Sequence, residues 1–333
     1  MRVFAFEFFS GGGLAGRPLP PSLAREGDLM LKTLVGELAE IPGVEVVASR
    51  DPRLPAVRRC ETLRPEPGED PFALYARGLA AADSAWPCAS EESGTLERLS
   101  RETLAAGKIL LGSRPDAVRL AASKRATAGV LRARGIPAVP TFAALGSLPP
   151  LPGPWVVKPD DGAGCDGAEL LPDWGAARER LDADPGRLVA QPWIEGEPLS
   201  LSLLCASGSA RLLSCNRQRI SIHGRRITLE GITVNDLEDR DGRFARLAER
   251  TAAALPGLWG YVGVDLILGW DGPVVLEINP RLTTSYCGLP AALACNTAAL
   301  VLGLLGAGAD PSAAGTIGRG VASEIRLEPS PVS

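Results

Sequence analysis

Apolar positions along the chain follow two periods and switch between them repeatedly. Residues 2–9 form an apolar run suited to a strand, and residues 26–41 set Leu29, Met30, Leu34, Val35 and Leu38 at helical spacing. Pro42-Gly43 stops that helix before a second strand over residues 44–48. Residues 73–82 and 96–106 predict two more helices, and residues 109–111 a further strand. Strands alternating with helices in this way predict an α/β domain with a parallel sheet over residues 1–112. Farther on, the pattern predicts helices over 123–134 and 243–255, the second turning Phe244, Leu247 and Ala248 inward, and a strand over 155–158. A late apolar stretch, 289–307, is interrupted by Asn296 and Thr297 and reads as a buried helix rather than a membrane span.

Residues 261–286, YVGVDLILGWDGPVVLEINPRLTTSY, combine a strand pattern with charge. Two apolar runs flank a Trp-Asp-Gly turn, which suits a β-hairpin. Each run carries one carboxylate, Asp265 and Glu277, among aliphatic residues. A carboxylate in a buried strand is costly unless a cation neutralises it. Side-chain alternation puts Glu277 and Asn279 on one face, and antiparallel pairing could bring Asp265 beside them. Three such oxygen ligands suit Mg2+ held by two carboxylates and completed by nucleotide phosphates, with Arg281 in reach of the same anion. Either acid alone could instead face solvent; the set of four points to a metal–phosphate site.

Composition narrows the class. Of the 333 residues, 45% are hydrophobic and 22% charged, which is ordinary for a globular protein with two or three cores. The 35 basic and 39 acidic residues give a formal net charge of −4, so no basic excess points to nucleic acid. Seven cysteines without CxxC spacing argue against a disulfide framework or a zinc site and fit a reducing cytoplasm. The opening MRVFAFEFF lacks the marks of a signal peptide, and no membrane partner is expected.

Other stretches could serve the same anion. Ser10-Gly11-Gly12-Gly13 follows the first strand, as either a ligand loop or a plain connection. Lys124 opens a helix whose N-terminal N–H groups already favour anions. After a proline-rich connection at 149–154, WVVKPDDGAGCDGAELL ends a strand on Lys158 and continues into a loop with Gly162, Gly164 and Gly167. Small residues let such a loop fold its N–H groups over phosphates, although no Walker A spacing is present. The run QPWIEGEPLSLS turns through Gly196, and Arg217 lies among apolar strand residues where a guanidinium fork would suit a carboxylate or phosphoryl group. His223 sits beside Gly224 in a turn and is given no catalytic duty.

Lys124, the Lys158 strand with its glycine loop, the turn at Gly196 and the Asp265/Glu277/Asn279/Arg281 hairpin occur in the order found in the ATP-grasp superfamily, which the chain resembles over about residues 113–290. The resemblance implies an α/β ATP-grasp fold preceded by an N-terminal pre-ATP-grasp domain at 1–112, a small lobe at 113–190 and a C-terminal lobe at 191–333. It implies that Lys124, Lys158, Gly162 and Gly164 meet ATP phosphates. Gln191, Trp193 and Ile194 would then form the hinge that reads adenine, with Glu197, or Glu195, at the ribose. Asp265, Glu277 and Asn279 would bind Mg2+ or Mn2+, and Arg217 and Arg281 would act in catalysis. Ser123 departs from the Asp that precedes the helix lysine in the family, and Pro198 stands where the ribose Glu is usual.

A narrower resemblance is carried by FEFFSGGGL, SCNRQRI and EINPRLTTSYCGL, which are similar to ligases that join glutamate to tyramine in methanofuran biosynthesis and to relatives making methylofuran. It implies ATP-dependent amide formation between small molecules, the glutamate γ-carboxylate and tyramine or tyrosine, with an amine pocket formed by residues 10–13 and 283–286. A homodimer stays open as an assembly. The rival readings are another ATP-grasp amino-acid ligase, an ATP-grasp phosphotransferase and a nucleotide-binding regulatory protein.

Overall fold

The computed structural model describes residues 1–145, 151–162, 164–306, 308–318 and 320–327. The proline-rich connection at 149–154 therefore begins outside the described residues, as does position 163 of the glycine loop.

A five-stranded parallel sheet forms the N-terminal part, in the order β3-β2-β1-β4-β5. Its strands are β1 (Arg2–Glu7), β2 (Glu45–Ser49), β3 (Glu61–Leu63), β4 (Ser84–Cys88) and β5 (Ile109–Leu110). Between them run α1 (Pro21–Leu38), α2 (Pro71–Ala80) and α3 (Thr95–Ala105). Alternation along β1 decides the layers. Val3 and Ala5 pack with Met30, Leu31, Leu34 and Val35 of α1, while Phe4 and Phe6 pack with Leu74 and Tyr75 of α2 and Leu96 and Leu99 of α3. Proline opens both α1 and α2, where its fixed φ suits the first turn. Sequence periodicity missed β3 and β4.

The remainder is built on a nine-stranded sheet whose strand-to-strand pairings are antiparallel, in the order β13-β12-β9-β10-β11-β7-β6-β8, with β14 beside β11. Two helices precede it, α4 (Pro115–Ala122) and α5 (Lys124–Ala133). Then come β6 (Trp155–Pro159), β7 (Glu169–Leu171), α6 (Trp174–Asp182) and β8 (Leu188–Pro192). The long strands β9 (Glu197–Ala206), β10 (Ser209–His223) and β11 (Arg226–Leu237) lead through α7 (Arg243–Ala254) to the hairpin β12 (Gly260–Gly269) and β13 (Gly272–Asn279). The chain closes with α8 (Leu289–Leu293), α9 (Thr297–Gly303) and β14 (Ser323–Arg326).

Packing does not follow the expected division at 113 and 191. Ala117 and Ala121 of α4 and Ala128 and Leu131 of α5 share a core with Leu199, Leu201 and Leu203 of β9 and with α7. The smaller core, Trp155, Val157, Leu171, Ala177, Leu181, Leu188 and Ala190, belongs to β6, β7, α6 and β8 alone, joined by Leu145 and, at its border, Phe142. In place of the helix expected over 289–307, whose last position lies outside the described residues, the segments Thr284–Leu293 and Thr297–Gly303 meet at a bend of 96°, and Asn296 caps the second by accepting a hydrogen bond from the Ala299 amide at 2.8 Å. No single helix among the described residues is long and apolar enough to cross a membrane. All seven cysteines are free thiols.

Candidate active site

The β12–β13 ladder pairs Asp265 directly with Glu277 and Gly263 with Asn279. It puts both carboxyls on the wall of a cavity of about 380 Å3 between the two cores and the N-terminal part. Lys124 lines the same cavity because α5 is capped twice at its start. Ser123 Oγ accepts from the Ala126 amide at 3.1 Å, and Asp160 Oδ1 accepts from the Arg125 amide at 2.9 Å while its Oδ2 takes the Ser123 hydroxyl at 2.6 Å. Ser123, in place of the family's Asp, thus still caps the helix, with Asp160 supplying the acid. Lys124 Nζ lies 3.4 Å from Glu277 Oε2 and donates to the carbonyl of Gly162, while Lys158 Nζ, from the end of β6, lies 3.8 Å from the same oxygen.

Burial alone would raise the Glu277 carboxyl, but the two ammoniums outweigh it and hold Glu277 below its ordinary value. Asp265 has no lysine. Burial, and then the charge of Glu277, push it up to about 7, against amide hydrogen bonds from Gln218 at 2.9 Å and Asn279 at 3.0 Å. Burial lowers the Lys158 ammonium, with Glu277 opposing. Two carboxyls that cannot both ionise freely form a donor set that a divalent cation suits. Among the described residues no group of three His, Cys, Asp or Glu could hold a metal. Asp265, Glu277 and Asn279 would therefore need phosphate or water to complete a Mg2+ shell, which is how Mg2+ is commonly bound.

Gly162, Gly164, Gln191, Trp193 and Ile194 also line the cavity. Gly164 and Gly167 have φ of +63° and +67°, which favours glycine in this loop. Gln191 is buried, its amide donating to Thr141 Oγ1 at 2.9 Å. Val156, Ile194, Ile267 and Leu276 make the wall beside the hinge apolar. Arg281 lines the cavity with its Nε 3.0 Å from Glu91, and that pairing outweighs burial to hold the guanidinium protonated. Behind it, Tyr261 OH bonds Thr283 Oγ1 at 2.8 Å and Ser202 Oγ at 3.1 Å, fixing the strand exit.

Several expectations fail here. Arg217 does not face the cavity: it pairs with Glu197 and lies 2.6 Å from Asp236, while alternation along β10 turns Gln218, Ile220 and Ile222 inward. Glu197 is thereby engaged outside the cavity, and Glu195 accepts from Trp193 Nε1 at 2.8 Å, so neither acid lines it and Pro198 does. Residues 10–13 do not line it either, since Gly11 and Gly13 close a tight turn onto the carbonyls of Glu7 and Phe8, each at 2.7 Å. Gln218, Glu26, Glu91 and Cys165 were missed. Gln218 had a signal, one position out of phase with Arg217, and Cys165 lies in the glycine loop; Glu26 and Glu91 meet the hairpin exit across 258 and 190 positions of sequence.

A family model described as an ATP-grasp domain matches residues 121–285, and one described as a pre ATP-grasp 3 domain matches residues 44–118. The chain belongs to the ATP-grasp superfamily. This ATP-grasp protein is 39% identical over 101 residues to the tyramine–L-glutamate ligase of Methanocaldococcus jannaschii, covering 30% of this chain and 31% of that one. The corresponding ligase of Methanocaldococcus fervens is 38% identical over 101 residues, 30% of this chain and 33% of that one. The match thus spans about a third of these curated relatives. Among solved structures, one described as an ATP-grasp superfamily protein from Archaeoglobus fulgidus aligns with a TM-score of 0.72 and 24% identity, over 91% of this chain and 88% of that one. The L-amino acid ligase of Bacillus licheniformis aligns with a TM-score of 0.61 and 18% identity, over 94% of this chain and 74% of that one. At these identities the likeness shows the ATP-grasp fold with its pre-ATP-grasp domain.

Proposed function

We propose that this protein is an ATP-dependent carboxylate–amine ligase that joins the γ-carboxylate of L-glutamate to tyramine or tyrosine. The observation that carries the reading is one cavity in which Lys124, Lys158 and Arg281 surround the Asp265–Glu277 pair. In this reading ATP phosphorylates the carboxylate, and the amine displaces phosphate to leave an amide, ADP and phosphate. The chain's work is to position anions and neutralise charge, and no nucleophilic side chain is required. Lys124, Lys158 and the amides of Gly162 and Gly164 hold phosphates; Gln191, Trp193 and Ile194 border the base; Arg281 orients the acid. Mg2+, or Mn2+, held by Asp265, Glu277 and Asn279 supplies further charge neutralisation.

The identity of the two substrates is supported by the partial likeness to tyramine–L-glutamate ligases. Purified protein incubated with ATP, Mg2+, glutamate and tyramine or tyrosine is expected to yield ADP and a γ-glutamyl amide by mass analysis. An amide formed only from another acid and amine would sink the substrate assignment and leave the ligase chemistry standing.

A further inference from the structure

The first turns of α1 bring one acid, Glu26, to the cavity wall from the N-terminal part of the chain. It stands on the Arg281 side, beside Thr283, Thr284 and Ser285, and its Oε1 accepts the hydroxyl of Thr284. Arg281 is already paired with Glu91, so this corner sets two carboxylates against one guanidinium. The nearby Glu7 is fully buried with both oxygens taken by backbone N–H groups of Ser10 and Phe9, at 2.7 and 3.3 Å. In the ligase reading the phosphates go to Lys124 and Lys158, which pair with Glu277 rather than with Glu26. Leu229 and Ile232 of β11 add apolar surface to the lining. An excess of carboxylate over guanidinium at this corner, beside apolar lining, suits a cation carried on carbon.

We propose that Glu26, oriented by Thr284, binds the primary ammonium group of a substrate. The assignment rests on the ligase reading above, and two substrates carry that group: glutamate on its α-carbon and the amine itself. Glu26 is therefore a specificity-determining residue supplied by the pre-ATP-grasp domain.

The test compares Glu26→Gln with the unmodified chain, varying ATP, glutamate and tyramine in turn and including hydroxylamine and glutarate as partners that lack an ammonium. If Glu26 reads the amine, KM for tyramine rises about tenfold and the preference for tyramine over hydroxylamine falls equally, the effect of losing one charge-assisted contact. If it reads glutamate, KM for glutamate rises and the preference over glutarate falls instead. KM for ATP moves less than about twofold in either case. Thr284→Val shifts the same ratio by about threefold and carries the test should Glu26→Gln fold poorly. Both preferences unchanged in both variants overturn the proposal. Failure of the unmodified chain to form ADP with any acid and nucleophile is a different result, which removes the ligase reading and this assignment with it.

Discussion

Asp265 and Glu277 are direct partners across one β-ladder, yet their carboxyls are driven in opposite directions. Both lysines reach Glu277, whereas Asp265 meets the side-chain amides of Gln218 and Asn279 and the Glu277 carboxyl itself. The Glu277 side of the pair thus favours the charged form and the Asp265 side resists it. A divalent ion bound here would draw both into the ionised state, so its binding would be linked to proton binding at this hairpin.

Glu277→Gln is expected to lower turnover at least about a hundredfold while the protein stays folded, because the metal loses a charged ligand and Lys124 and Lys158 lose their common partner. Circular dichroism and a Mg2+ titration of activity check this. Near-normal turnover with unaltered Mg2+ dependence would dismiss the hairpin as the metal site.

Stability without ligands is expected to fall as pH rises from about 4 to about 7. Asp265, Glu7 and Glu37 are each raised to about 7 by burial, with smaller opposing contributions from hydrogen bonds. A raised acid contributes stability that is fully present below its unfolded value near 4 and lost as pH passes through the folded one. Glu277, held low, acts in the opposite direction over a lower range. Added ATP analogue with Mg2+ should raise the thermal midpoint more at the higher pH, where Asp265 ionises readily. A ligand-free midpoint climbing steadily over this interval would contradict the assignment.

The hairpin was legible because its two apolar runs and short turn leave one pairing, and that pairing fixes Asp265 against Glu277. β4 was not, since Pro87 sits in a five-residue run; it is tolerated because β5 pairs only with Ser84 and Ala85 and leaves Pro87 bonded on the β1 side alone. Arg217 was misplaced because strand residues one position apart face opposite ways, and β10 carries register shifts near Cys215 and Ile220 that composition does not reveal. Glu26 and Glu91 reach the site only through packing of the N-terminal part on the hairpin exit. No local pattern encodes such contacts.

Tyr286→Phe should destabilise the protein by about 1–3 kcal/mol, the range for leaving a buried polar group without its partner. Tyr286 is fully buried, and its hydroxyl donates to Glu37 Oε2 at 2.5 Å, tying α1 to the segment after β13. Urea unfolding measures the loss; an unchanged midpoint would mean that Glu37 is satisfied without the tyrosine.

Hydrogen exchange in the loop after Lys158 should slow when ATP analogue and Mg2+ are added, as Gly164, Cys165 and Gly167 hold positive φ and line or flank the cavity. The comparison is peptide-level exchange with and without nucleotide. Equal exchange at saturating nucleotide would leave the loop without a phosphate-covering role.

Gly196→Ala should weaken ATP binding more than it weakens the fold. Gly196 lies at the turn from β8 into β9, where a Cβ would stand 2.6 Å from Ile267 Cγ2 and 2.6 Å from the Leu268 carbonyl oxygen. One of these is backbone in the same hairpin that carries Asp265, so the strain cannot be relieved by a rotamer change alone. Either the turn moves away, displacing Trp193 and Ile194 from the cavity wall, or β12 shifts and disturbs its pairing with β9. Overpacking of this kind costs about 1–3 kcal/mol. The stability loss should stay within that range, while KM for ATP rises about tenfold or more and KM for the acid and amine changes less. Equal rises in all three constants would place the damage in the whole cavity and remove the hinge at Gly196 as the nucleotide-reading element.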